Sequence, residues 1–214
     1  MSPVDIVDAC LARTETLNQQ LNAFITVLSD EAREHAKAAE AEIKAGKWRG
    51  PLHGVPVGVK DFYDTANVRT TAAFETFKNR VPRHDAAAVA KLKDAGAIVI
   101  GKTNMHRLGM GTTGLESYFG PVKNPWNDTL HSRGSSSGSA AAVAAGMCYA
   151  TLDTDAIGSC RFAGCVLRRC RIQSDVRSDQ QQEAFSKARK QTRRSCGCRI
   201  RESRRAARRT RRLS

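Results

Sequence analysis

Residues 133–147, RGSSSGSAAAVAAGM, set four serines within five positions directly before a run of small apolar residues. Hydroxyls in a glycine-rich loop can attack a carbonyl, cradle a phosphate, or simply belong to a slack linker. A linker would continue into polar sequence, whereas alanine and valine follow here and favour a helix. The stretch therefore reads as a loop feeding a buried helix. Two further segments carry groups able to join such chemistry. In GVPVGVKDFYD, Lys60 stands among valines, and in DTDAIGSCR, Ser159 follows a glycine. A serine hydroxyl is a weak nucleophile at neutral pH and needs a partner that takes its proton. Taken singly, each segment also has an ordinary reading. Val-Lys-Asp suits a strand edge, a serine-glycine cluster suits a linker, and a Gly-Ser turn alone means little.

The elements that must position these groups follow from periodicity and punctuation. Ser2 as N-cap, Pro3 in the first turn and Val4, Ile6, Val7, Cys10 and Leu11 predict a helix over 2–17. NAFITVL is apolar but too short to classify by period. SDEAREHAKAAEAEIKAGK predicts a strong helix, acidic early and stopped by Gly46. GPLHGVPVGVKDFYD is strand-like, DAAAVAKLKDAG is an amphipathic helix, and AIVIGKTN is a buried strand. SAAAVAAGM predicts a closely packed helix, CYATLDTD a strand, and AIGS the turn leaving it. Helix and apolar strand in alternation predict an α/β layer architecture with buried parallel strands. The AIGS turn then lies at a strand's carboxyl end, where open α/β sheets place ligands.

The chain has 214 residues, 41% of them hydrophobic, and a net charge of +14. That charge is not spread evenly. From Arg161 onward there are 18 Lys and Arg against 4 Asp and Glu, while positions 1–160 carry 17 of each sign. Five of the seven cysteines also fall at or after Cys160. RKQTRRSCGCRIRESRRAARRTRRLS has no steady apolar period and many like charges, so a disordered basic tail is expected. No apolar run approaches the roughly 18–20 residues of a membrane span, and MSPVDIVDAC lacks the pattern of a secretory signal. No membrane association and a cytoplasmic location are the expectation. His53, His84, His106 and His131 show no metal-ligand spacing. Cys165, Cys170, Cys196 and Cys198 contain no paired CxxC, which argues against a metal site.

Three segments, in order, give the chain its resemblance to the amidase signature family. GVPVGVKDFYD resembles the family's lysine motif, RGSSSGSAAAVAAGM its glycine/serine signature, and DTDAIGSCR the segment of its nucleophile. GAIVIGKTNMHRLGMGTTGLESYFGPVKNPW resembles the connection between the first two. The match spans about residues 1–161 and does not depend on one short pattern. It implies a Ser–Ser–Lys triad in which Ser159 is the nucleophile, Ser135 the bridging serine after a cis peptide, and Lys60 the base. It further implies an oxyanion hole from the backbone amides of Ala156, Ile157, Gly158 and Ser159, and a substrate-binding part for Arg161. Lys60 can act as base only when neutral, and its valine-rich flanks suit the burial that favours neutrality. No cofactor and no metal are implied.

After Arg161 the family pattern is lost. The family continues with a proline and a Cys-Gly-Val-rich strand, which FAGCVLRRCRIQSDVR does not match. Removing one T near the Phe162 codon, with synonymous codons chosen to suit, gives RLPAACCGVVGFNPTYG, close to the expected continuation. A one-base insertion is therefore expected. Residues 1–161 would be the N-terminal part of an amidase-signature domain, and 162–214 a non-homologous, frameshifted, disordered tail. The fold class is thus α/β, a truncated amidase-signature fold with a mixed sheet covered by helices. The expected activity is cleavage of a carboxamide C–N bond in a small amide through an acyl-enzyme, lost where the rest of the scaffold is missing. Within the same resemblance stands the glutamine-hydrolysing amidase subunit of a tRNA-dependent amidotransferase, which would add partner subunits. A reading of another class is nucleic-acid binding, unspecific and salt-sensitive, by the Arg-rich tail. Only Phe185 remains there to stack on bases after Phe162.

Overall fold

The computed structural model describes residues 1–167; the basic tail expected beyond them lies outside the described residues. In chain order the elements are α1 (Pro3–Leu21), β1 (Phe24–Val27), α2 (Ser29–Lys44), β2 (Pro56–Lys60), α3 (Ala87–Asp94) and β3 (Ile98–Thr103). They continue with β4 (Lys123–Asn124), β5 (Asn127–His131), α4 (Ser137–Ala144), β6 (Ala150–Leu152) and α5 (Ser159–Val166).

Helix α1 begins where the sequence places it. The Ser2 hydroxyl accepts from the Asp5 amide at 3.2 Å while the Asp5 carboxylate accepts from the Ser2 amide at 2.9 Å, and Pro3 fills the first turn. The two bonds satisfy amides that the helix itself leaves open. The helix runs past the expected end at 17 and stops at Asn22, whose left-handed backbone ends it. Helix α2 packs on it through Ala32, Ala36 and Ala39, small residues on one face. Gly46, with φ +74°, follows the end of α2, in keeping with the expected stop.

The main sheet has strand order β1-β3-β2-β6. Strand β2 lies parallel to both β3 and β6, whereas β1 runs antiparallel to β3, so the sheet is mixed. The short apolar NAFITVL segment is that antiparallel strand, a pairing its length could not reveal. Strands β2 and β3 are buried along their whole lengths, which explains their continuous apolar character. On one face Val57, Val59 and Val99 gather with Val89 of α3. On the other, Ile98 and Ile100 join α1, α2 and the alanines of α4 in a larger core. The Phe24 ring lies against Gly58 and Gly101, where Cβ atoms would meet it at 3.4 and 2.9 Å.

Helix α4 is the alanine helix that the serine loop feeds. Ser137, Gly138, Ser139, Ala141, Ala142 and Ala144 are all buried. The hairpin of β4 and β5 and the helix α5 were not foreseen from periodicity. Strand β5 is exposed throughout and α5 follows directly on the Gly158 turn. Among the described residues no helix is long and apolar enough to cross a membrane.

Candidate active site

The carboxyl ends of β2 and β6, the loop before α4 and the first turn of α5 meet at one point. Lys60 is the last residue of β2 and is fully buried. Its Nζ lies 2.9 Å from Ser135 Oγ, 2.9 Å from Ser136 Oγ and 2.7 Å from Thr154 Oγ1. Ser135 Oγ is in turn 2.8 Å from Ser159 Oγ. Ser135 is fully buried and Ser159 is 6% exposed, so the chain of contacts runs from the interior towards solvent. The Gly134–Ser135 peptide is cis, as the resemblance implies. The loop is held on both sides by backbone bonds, Gly134 N–H to Thr112 O and His106 N–H to Ser135 O.

The number of hydroxyls around Lys60 bears on its chemistry. An ammonium has three hydrogens and no lone pair, so it donates to all three hydroxyls. A neutral amine has two hydrogens to donate and one lone pair to offer. Ser136 and Thr154 can then accept the hydrogens, and the Ser136 hydroxyl itself donates a hydrogen bond to Thr154 O at 3.4 Å. That leaves the lone pair for the Ser135 hydroxyl. Burial pushes the Lys60 pKa below the ordinary lysine value, opposed by the negative charge of Asp153 and, less strongly, of Asp155. Low-dielectric surroundings thus favour the form able to take a proton.

Ala156 and Ile157 are exposed, Gly158 and Ser159 buried. Gly158 has φ +123°, and a Cβ there would meet the Phe162 ring at 2.5 Å. Glycine is required both by the backbone angle and by that ring. The amides of Ala156, Ile157 and Gly158 donate to no protein acceptor among the described residues, and Ser159 opens a helix whose first amides have no intrahelical acceptor. Open amides at a helix start are suited to a developing negative charge. Arg161 makes a two-pronged pair with Asp155 at 3.0 and 3.1 Å, joining the start of the turn to α5.

Sequence reasoning named Lys60, Ser135 and Ser159 but missed Ser136 and Thr154, the other two partners of the amine. Their signal was adjacency alone, one residue after Ser135 and one before Asp155. It also missed Tyr63, whose hydroxyl donates to Asp153 O at 2.9 Å and ties the segment after β2 to the end of β6. His53 sits beside Glu42, with 3.1 Å between Nε2 and Oε2, and the His106 ring packs against Gly111 while its backbone amide holds Ser135 O; neither imidazole bonds a member of the Lys60 cluster among the described residues.

The family model described as Amidase matches residues 5–165. A glutamyl-tRNA(Gln) amidotransferase subunit of Geobacter metallireducens is 48% identical over 170 residues, covering 78% of this chain and 35% of that protein. An amidase crystal structure superposes with a TM-score of 0.71 at 37% identity, over 77% of this chain and 37% of the other. The native peptide amidase of Stenotrophomonas maltophilia gives 0.70 at 34% identity, over 74% of this chain and 34% of the other. The chain spans about a third of the length of the curated relatives it matches.

Proposed function

The chain belongs to the amidase family, and from that premise we propose that it carries the reactive groups of an amide C–N hydrolase. Ser159 is the nucleophile, Ser135 the proton bridge and Lys60 the base. Residues 1–161 are the N-terminal part of the family domain. The Ser159 oxygen attacks the substrate carbonyl carbon while its proton passes to Ser135 and the Ser135 proton passes to the lone pair of Lys60. The carbonyl oxygen becomes an anion beside the amides of Ala156, Ile157, Gly158 and Ser159. Collapse breaks the C–N bond, and the proton held on Lys60 returns through Ser135 to the leaving nitrogen. Water repeats the sequence on the acyl-enzyme, releasing the carboxylic acid and freeing Ser159.

The observation that carries this reading is the unbroken hydrogen-bonded line from Lys60 Nζ through Ser135 Oγ to Ser159 Oγ. The test is ammonia release from glutamine, asparagine and simple carboxamides by a protein continued in the restored frame after Arg161, with and without Ser159→Ala. Loss of at least 10³-fold is expected, on the scale of removing an activated nucleophile. Undiminished hydrolysis in the variant overturns the assignment.

The 48% identity to a glutamyl-tRNA(Gln) amidotransferase subunit favours glutamine as the amide and partner subunits as the recipients of ammonia. Under that reading free glutamine is hydrolysed slowly alone and faster with partner subunits added, and an affinity-tagged chain retains those subunits.

A further inference from the structure

Asp153 stands in the same cluster without a part in the proton route. In the parallel register of β2 and β6, Val59 pairs with Leu152, the last residue of β6, and Lys60 and Asp153 are the residues that follow them. The Thr154 hydroxyl, on the residue after Asp153, is 2.7 Å from Lys60 Nζ, which keeps Asp153 in the neighbourhood of the amine. The backbone around Asp153 is fixed on two sides. Tyr63 Oη donates to its carbonyl at 2.9 Å, and the adjoining Thr154 is bonded to Lys60 Nζ and, through its carbonyl, to Cys160 Sγ at 3.3 Å. Asp153 Oδ1 is closed off from solvent and accepts no hydrogen bond among the described residues. An unpartnered buried carboxylate oxygen is costly, and its retention calls for a use.

We propose that Asp153 is a positioning residue acting through Lys60, its carboxylate supplying the negative charge against which the amine takes up the proton delivered by Ser135. The inference rests on Lys60 being the base. Burial alone favours a neutral amine too weak to draw a proton, and a base works best when its affinity for protons is matched to the working pH. A nearby anion restores that affinity and stabilises the charge that appears on Lys60 as the serine oxygen attacks. The other ionisable groups facing this point are Tyr63 from the segment after β2, Cys148 before β6, Cys160 on α5, and Asp155, which Arg161 already pairs. Burial and the nearby Asp153 push the Cys160 thiol up to about 12, so it is neutral at working pH. Of the negative groups around Lys60, Asp153 does most to favour its charged form against the loss of solvent.

The test is a titration of the Lys60 side chain in the 214-residue chain, by the Nζ and Cε shifts of isotope-labelled lysine, with the Lys60 signals assigned by their loss in Lys60→Met. In Asp153→Asn the midpoint is expected to fall by about one pH unit, a tenfold weaker proton affinity, the scale of a nearby opposite charge. Asp153→Glu, which keeps the charge, is expected to stay near the unsubstituted value. An unchanged or raised midpoint in Asp153→Asn overturns the inference, provided the variant keeps the folded chain's circular dichroism, since unfolding by itself raises the midpoint. A midpoint near the ordinary 10.5 in the unsubstituted chain would instead remove Lys60 as base, so the two failures read differently.

Discussion

The Ser135 and Ser159 hydroxyl oxygens are 2.8 Å apart although 24 residues separate them and each stands on a different helix approach. Ser135 is the only hydroxyl among the described residues that touches both Ser159 Oγ and Lys60 Nζ. Its removal should therefore break the proposed proton route while leaving Ser159 in place. Ser135→Ala is expected to slow attack by Ser159 on an electrophile by about 10²- to 10⁴-fold, the range for losing positioned proton transfer. Labelling of Ser159 by a fluorophosphonate, followed by peptide mass, reads that rate without a substrate pocket. A rate close to that of the unsubstituted chain would show that the bridge is not used.

The same labelling should depend on pH in one direction. Lys60 accepts a proton only as the free amine, so reactivity is lost as pH falls through its pKa and levels off above it. Because burial holds that pKa below 10.5, the rise must begin below the ordinary lysine range. A single-proton limb is expected in a plot of labelling rate against pH. A flat profile, or one that rises only above about 10.5, speaks against a buried neutral base.

Much of this was legible because the groups stand on strongly patterned elements. Lys60 ends a valine-rich strand, and Ser135 precedes an alanine run that can only be a buried helix. What stayed hidden depends on pairing across the fold. The antiparallel β1 is four residues long, so no period marks it, and its place beside β3 comes from register alone. Thr154 and Ser136 carry no sequence signal because their use requires Lys60 Nζ to arrive between them. Helix α5 was missed because its start depends on the positive φ of Gly158, and apolar period in eight residues is too brief to announce it.

Gly138 lets α4 sit against the chain at Ala23 and Asn104. Its amide donates to Asn104 O at 2.9 Å, and a Cβ added there would meet Ala23 O and Asn104 N, the latter at 2.5 Å. Backbone atoms cannot swing aside as a side chain can. Gly138→Ala is expected to cost about 2–3 kcal/mol, or about 5–10 °C in Tm, and to displace Ser135 and Ser136 with the helix. Gly46→Ala, with open space around its Cβ, should lose only about 1 kcal/mol from the left-handed backbone. Thermal unfolding of the two variants side by side checks the contrast; equal losses would show that α4 is free to shift.

The departure from the family pattern expected after Arg161 makes a prediction at the level of the gene. The DNA across codons 159–165 should contain one base more than the frame that yields a proline and a Cys-Gly-Val-rich strand. Independent reads of that region decide it. A continuous frame with no displaced family sequence in either alternative frame removes the proposal.

Lys102 is a second buried lysine, and its role is to fasten the segment that follows β2. Its Nζ donates to Tyr63 O, to Thr65 Oγ1 at 2.9 Å and to Thr70 Oγ1 at 3.1 Å. Burial pushes its pKa down to about 8 from 10.5, with Asp61, Asp64 and Asp85 resisting. Between those values the unfolded chain holds a proton that the folded chain has released. Stability therefore rises with pH across that window, and below about 8 the folded state carries the full cost of a buried ammonium. Lys102→Met abolishes this rise while leaving the contribution of Lys60 in both proteins. Urea unfolding between about pH 8 and 9 should show the unsubstituted chain gaining up to about 1 kcal/mol per pH unit on the variant. Parallel stability curves would mean that Lys102 keeps its proton through this range when folded, and that the Tyr63, Thr65 and Thr70 oxygens hold an ammonium rather than an amine.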